Sequence, residues 1–228
     1  MRLKIRNYFP FYEAHEVIGP DLVRPEAWDR ARLSSTRPDF ALPEDRVDYE
    51  RLVDSETAYE ERARRLDHIL DEFGAASVAS YGVGRGVLER WLSRLSPDRA
   101  LTITEYTPAS LARLGQLFPE ARTEVFDLRS ESPLDADVHL MHRLDTELDD
   151  PEWREVFARY AEERVIFIAA SQLSVWLFLW QARVRLQRRR TFAGWLRTHD
   201  AVADLWSDTH VAESIPGLDL DGWVLVPR

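Results

Sequence analysis

The chain has no cysteine, only one lysine, and no apolar run of bilayer-spanning length. Without cysteine there can be no disulfide, thiolate zinc site or cysteine nucleophile, which fits a reducing compartment. Arginine supplies twenty-nine of the thirty basic residues, a pattern that reads as coding bias rather than chemistry. Even the most apolar stretch, residues 175–180, falls far short of the roughly 20 residues a membrane helix needs. Arg2, Lys4 and Arg6 are followed by no sustained apolar core, so no signal peptide is expected and cytoplasmic placement is. Positive charge is also scarce. Forty acidic residues against thirty basic ones leave a net charge of −10, which argues against general nucleic-acid binding. His15, His139, His199 and His210 form no ligand spacing, and no metal is expected.

What is present suits a folded domain: 228 residues, 45% of them hydrophobic, enough for one core with an elaborated terminus. Glycine is sparse at nine residues, yet three stand at alternate positions, Gly82, Gly84 and Gly86. A short apolar run with strand character, residues 75–81, precedes them. Val87, Leu88, Trp91, Leu92 and Leu95 follow at helical spacing. The stretch therefore reads strand, glycine turn, helix. Lacking a Cβ, glycine lets the backbone turn sharply and lets a ligand touch it, and the N–H groups opening the next helix would face that ligand. A tight turn with no ligand is the plainer alternative.

Two acids sharpen the signal. A second strand over residues 100–103 ends in Thr104-Glu105, nineteen residues after Gly86, where a carboxylate can accept both hydroxyls of a ribose. A third, over residues 123–126, ends in Asp127, placed to take an adenine amino group. Glycine turn and two acids, each closing a strand, describe a pocket for an adenosine-bearing cofactor. Val87 stands where the dinucleotide fingerprint wants its last glycine, which speaks against a nicotinamide-dependent oxidoreductase.

On these residues the chain, from about Leu66 to Arg228, resembles the class I S-adenosylmethionine (SAM)-dependent methyltransferases. It departs from the family pattern at Ser80, where an Asp or Glu is usual two residues before the first glycine. The resemblance implies an α/β, Rossmann-like, doubly wound seven-stranded sheet, mostly parallel with an antiparallel C-terminal hairpin strand. It also implies SAM as cofactor. Gly82, Gly84 and Gly86, with Tyr81 beside them, would hold its methionine part and Glu105 its ribose. Tyr106 would lie on the adenine, with Asp127 and the Leu128 N–H at the adenine edge.

The remaining chain fits that frame. Residues 1–55 read as irregular, broken by Pro10, Pro20, Pro25, Pro38 and Pro43. They form either a packed strap or a lid carrying Tyr12 and His15 toward a substrate. A helix from Ser55, with Tyr59, Ala63, Leu66, Leu70 and Phe73 on one face and Gly74 as C-cap, leads into the first strand. The division is thus 1–74 as strap and leading helix, and 75–228 as cofactor domain. Thr107 as N-cap and Pro108 open a further helix. A fourth strand (136–141), a helix opening at Asp150-Pro151, and a fifth strand (164–170) follow. An inserted helix (172–190), a short helix (200–206) and two closing strands (210–215 and 223–226) complete the chain.

The loop after the fourth strand offers His142, Arg143 and Asp145. In similar enzymes it faces the substrate. His142 would be a general base, helped by Asp145, or simply a histidine bonded to its own loop. Arg143 would hold an acidic substrate group or pair with Asp145. The inserted helix has an apolar front half, with Trp176 and Trp180 either over the substrate or in a homodimer interface through 173–180. Its basic end, Arg183 to Arg190, would be a solvated face or meet an anion or RNA. The expected activity is methyl transfer to a small or medium-sized, partly apolar acceptor, at oxygen rather than nitrogen. A catalytically silent subunit of the same fold and an RNA methyltransferase are the rivals.

Overall fold

A computed structural model describes residues 4–7, 29, 32–33, 41–170, 176, 179, 183 and 194–228. In chain order the elements are β1 (Lys4–Asn7), α1 (Arg46–Ser55), α2 (Thr57–Glu72), β2 (Ser77–Tyr81), α3 (Val87–Leu95), β3 (Ala100–Glu105), α4 (Pro108–Leu117), β4 (Arg122–Val125), β5 (Val138–His142), α5 (Asp150–Arg159), β6 (Val165–Ile168), β7 (Gly194–Arg197), α6 (His199–Ala203), β8 (His210–Ser214) and β9 (Gly222–Pro227). Seven strands form one sheet in the order β4-β3-β2-β5-β6-β9-β8, and β1 pairs with β7 in a separate two-stranded ribbon. β2, β3, β4, β5 and β6 run parallel, while β9 is antiparallel to both β6 and β8. The expected doubly wound α/β sheet with its antiparallel hairpin strand is thus observed.

Side-chain alternation along the central strands builds the two covering layers. From β2, Val78 faces the cluster of Ala63, Leu66, Leu70, Leu88 and Leu92 on α2 and α3. Ala79 and Tyr81 face the other way, against Trp153, Val156 and Phe157 of α5. β6, Val-Ile-Phe-Ile, is buried along its whole length because it serves both layers. On the α5 side the rings interlock: Trp153 and Phe157 stack at 5.6 Å and both abut Phe167, at 5.3 and 5.8 Å. Such pairs add roughly 0.5–1.5 kcal/mol each beyond their burial. α5 starts where Asp149 accepts from the Glu152 N–H and Glu152 returns the bond, a capping box. α2 ends at Gly74, whose φ of 62° lets Ala75 N–H reach back to Leu70 C=O at 2.9 Å.

Several sequence expectations need correction. Residues 1–55 are not wholly irregular: α1 spans Arg46–Ser55, opened by the Asp45 side chain accepting from Asp48 N–H. No proline falls between Glu44 and Ser55, and Tyr49 and Val53, one turn apart, bury one face. β4 stops at Val125, leaving Asp127 in the following loop rather than at a strand end. β5 runs from Val138 through His142, two residues later at its start than expected, and β6 is shorter, ending at Ile168. The β1–β7 ribbon, Lys4 opposite Arg197 and Asn7 opposite Gly194, had no signal in either segment alone. Tyr12, His15, Trp180 and most of 172–190 lie outside the described residues; of the latter, Trp176, Leu179 and Arg183 are helical and exposed. Among the described residues no helix is long and apolar enough to cross a membrane, and no group of acidic residues and histidines is arranged to hold a metal.

Candidate active site

The parallel strands put their carboxyl ends on one edge. The chain goes from β2 to β3 on one side and returns to β5 on the other, so β2 marks the point where strand order reverses. In open α/β sheets the ligand crevice lies there. β2 hands over to α3 through Gly82, Gly84 and Gly86, with φ of 62°, 62° and 65°. All three occupy the left-handed region that side chains disfavour. Space is closed as well. A Cβ on Gly82 would run into Leu144, and one on Gly86 would stand 3.1 Å from Leu114 and 3.3 Å from the Tyr49 hydroxyl. Buried Tyr49 of α1 fastens the turn from outside, donating to the carbonyls of Arg85 and Gly86 at 3.1 Å each.

Glu105 closes β3 beside this turn and is 2% exposed. Its Oε1 accepts from Gly84 N–H at 2.7 Å and from Arg32 Nη1 at 2.9 Å; its Oε2 accepts from the Thr107 hydroxyl at 3.2 Å. The glycine turn and the acid are therefore one hydrogen-bonded unit. Thr107 occupies the N-cap position of α4, but its hydroxyl serves Glu105 rather than the helix. The cap comes instead from Asp29, which accepts from Ala109 N–H at 2.9 Å and Ser110 N–H at 2.5 Å.

Ser80 is fully buried and donates to Glu89 Oε1 at 2.7 Å. A buried carboxyl from the first turn of α3 thus stands directly beside strand position 80. Burial pushes Glu89 up to about 7, with the Ser80 bond pulling back and the Glu105 charge adding to the rise. Tyr106 stands next to Glu105. Burial raises its phenol, and the charges of Glu147 and then Glu105 raise it further, so it is neutral.

Other predicted residues have protein partners of their own. The Tyr81 side chain is 1% exposed and turned into the core, its hydroxyl 2.9 Å from His139 Nδ1, so only its backbone borders the turn. Both carboxylate oxygens of Asp127 are gripped by Arg129, at 2.9 and 2.7 Å, and these bonds hold the acid below its usual range. The Leu128 carbonyl accepts from Arg159 at 2.6 Å. Trp176 is 81% exposed.

Beyond β5, His142 Nε2 lies 2.9 Å from Arg62 Nη1, and Asp219 holds the same guanidinium at 3.1 and 2.7 Å. Guanidinium can only donate, so Nε2 accepts and the ring proton belongs on Nδ1. Burial, then Arg62, then Arg143 depress His142 well below its usual value. It is a neutral acceptor bonded to Arg62, not a base open to a substrate. Arg143 has φ 61°, the single non-glycine positive value among the described residues, and its exposed guanidinium donates to Tyr59 Oη at 3.0 Å. It does not pair with Asp145. That carboxyl is fully buried, accepting from Ala170 N–H at 2.5 Å through Oδ1 while Oδ2 has no partner, and burial pushes it up to about 6. Arg197, also fully buried, staples this loop: it donates to the carbonyls of Asp145 and Leu148 and, at 2.9 Å, to Asp150 Oδ1. Trp195 N–H of β7 adds a bond to Thr146 C=O at 2.8 Å.

Sequence reading passed over Asp29, Arg32, Tyr49, Arg62, Glu89 and Arg197. Only Tyr49 had a local signal, its spacing to Val53.

No protein-family model matches the chain, and no curated protein does. Solved structures do. PigF with SAH superposes at a TM-score of 0.63 and 14% identity, over 96% of this chain and 66% of that one. The mitomycin 7-O-methyltransferase MmcR gives 0.57 at 20% identity, over 74% and 53%. Human N-acetylserotonin methyltransferase in complex with SAM gives 0.56 at 15%, over 72% and 51%. A putative Zn-dependent alcohol dehydrogenase from Rhodobacter sphaeroides also matches, at 0.50 and 12%. The chain spans about half the length of several of these proteins. At such identities the likeness establishes the fold alone, which this chain shares with these proteins.

Proposed function

We propose that the chain binds SAM over the glycine turn and transfers its methyl group to a small or medium-sized, partly apolar acceptor, at oxygen rather than nitrogen. The observation that carries this is the unit of Gly82, Gly84 and Gly86 with Glu105, in which the middle glycine N–H is bonded to a buried acid at 2.7 Å. The turn of Gly82, Gly84 and Gly86 cradles the methionine part, with Gly84 the one of the three whose Cα has room beside it; Glu105 addresses the ribose diol, and Tyr106, a neutral ring, lies on the adenine. Asp127 and the Leu128 N–H serve the adenine edge. Methyltransferases among the structural neighbours, two of them solved with SAM or SAH, support the choice of cofactor.

When bound, SAM supplies an electrophilic methyl on a sulfonium. The protein's share is then alignment of the acceptor in line with it and exclusion of water. The loop 143–149, held by Arg197 and β7, forms the acceptor side. Arg143, whose guanidinium donates to Tyr59 Oη, offers an exposed charge with no carboxylate partner among the described residues. His142 contributes as a neutral ring packed edge-on to Tyr59, with centroids 5.8 Å apart. Segment 1–74 closes the site and 75–228 carries the cofactor. The exposed Trp176 and Leu179 support a homodimer through 173–180.

Calorimetry with SAM and with S-adenosylhomocysteine, on the wild type and Glu105→Ala, tests the reading. Micromolar binding lost in the variant supports it and justifies screening acceptors with labelled SAM. Folded protein that binds neither ligand overturns it. The engagement of His142 by Arg62 favours a second reading, a silent subunit of the same fold. Binding without turnover on a broad acceptor panel would favour that one.

A further inference from the structure

Resting on the cofactor reading above, we infer that Arg32 is a latch on the cofactor site: its guanidinium occupies the Glu105 oxygen that a ribose hydroxyl must take, and it has to leave for the cofactor to seat fully. Acceptor capacity sets the constraint. A carboxylate oxygen offers two lone-pair sites. Oε1 of Glu105 has both filled, by Gly84 N–H at 2.7 Å and Arg32 Nη1 at 2.9 Å. Oε2 holds one bond, from Thr107 at 3.2 Å, and keeps one site free. A ribose diol that addresses both oxygens finds Oε1 closed. The Gly84 bond belongs to the turn itself, so Arg32 is the group that must yield. Accessibility agrees: Glu105 is 2% exposed and the Arg32 side chain 12%, so the arginine lies on the outer side of the pair.

The latch has its own anchor. Asp29 and Arg32 are helical and three residues apart, hence on one face. Asp29 caps α4 through Ala109 and Ser110, and Leu42 N–H bonds to Arg32 C=O at 3.1 Å. The backbone therefore stays fixed if the Arg32 side chain swings away. Arg32 also spans 3.4 Å to the Thr107 hydroxyl, the other donor to Glu105. Leaving the site costs the guanidinium a partly buried ion pair, and the apparent cofactor affinity is the intrinsic one multiplied by the fraction of molecules in which the arginine has left.

The test is stopped-flow association and calorimetry of S-adenosylhomocysteine with the full chain, as wild type, Arg32→Met and Arg32→Lys. Methionine keeps the aliphatic stem and removes the charge; lysine keeps the charge but reaches less far and cannot fork. We expect Arg32→Met to bind about tenfold tighter, mainly through faster association, with Arg32→Lys between it and the wild type. A gain in affinity is something structural damage does not produce. Equal or weaker binding by folded Arg32→Met overturns the latch and makes Arg32 a support of the bound cofactor. Should Arg32→Met not fold, Arg32→Lys decides alone: tighter binding supports the latch, and equal or weaker binding overturns it. Failure of all three folded proteins to bind overturns the cofactor reading itself, and the latch with it.

Discussion

Glu89 gives the most direct check on the buried architecture under the glycine turn. Its carboxyl is 1% exposed and is pushed up from the usual 4.5 to about 7, chiefly because burial penalises the charged form. The sign follows from linkage. A carboxyl that holds its proton more tightly in the folded state favours folding at low pH. That contribution is complete below 4.5, is lost as pH rises from 4.5 to about 7, and is absent above. At about 1.4 kcal/mol for each tenfold change, the carboxylate costs the native state about 1 kcal/mol at pH 5 and ~3 kcal/mol at pH 8. Glu89→Gln mimics the protonated form and can still accept from Ser80. Urea denaturation of the ligand-free protein at the two pH values should therefore show the variant gaining on the wild type by ~2 kcal/mol between pH 5 and pH 8. A stability difference that is the same at both would refute the burial and the hydrogen bond from which the figure was worked.

Other expectations follow from single contacts. Arg197→Met removes three bonds from a fully buried guanidinium and leaves Asp150 without it; urea denaturation should show a loss of about 3–5 kcal/mol, and under 1 kcal/mol would deny the staple. Gly86→Ala forces a side chain into φ 65° and against Leu114 at 3.1 Å, so a loss of about 1–3 kcal/mol is expected, together with weakened S-adenosylhomocysteine binding by calorimetry. Tyr49→Phe deletes the hydroxyl that donates to Arg85 and Gly86 carbonyls; about 1 kcal/mol should go, with cofactor affinity falling rather than rising.

What could be read from the chain was what is local or periodic. Helical spacing marked α2, α3, α4 and α5, because one buried face must recur every three or four residues. The apolar run of β6 marked a strand covered on both sides. Three alternate glycines marked a turn in left-handed conformation, and an acid closing the next strand marked its partner, since parallel strands bring their carboxyl ends together. Ends were less secure. β4 stopping at Val125 put Asp127 into a loop, where Arg129, two residues on, became its nearest partner.

The sequence by itself thus determined the alternation of strands and helices, the glycine turn and Glu105, because each follows from spacing along the chain. Only the tertiary structure decided who meets them. Arg32 reaches Glu105 across 73 residues, Arg62 meets His142 across 80, and Arg197 meets Asp150 across 47. Glu89 brings a buried carboxyl beside position 80 from nine residues further on, and does so only once α3 has folded back over β2. Such pairs have no period. They arise because buried charges and donors must find partners wherever the packed layers place them.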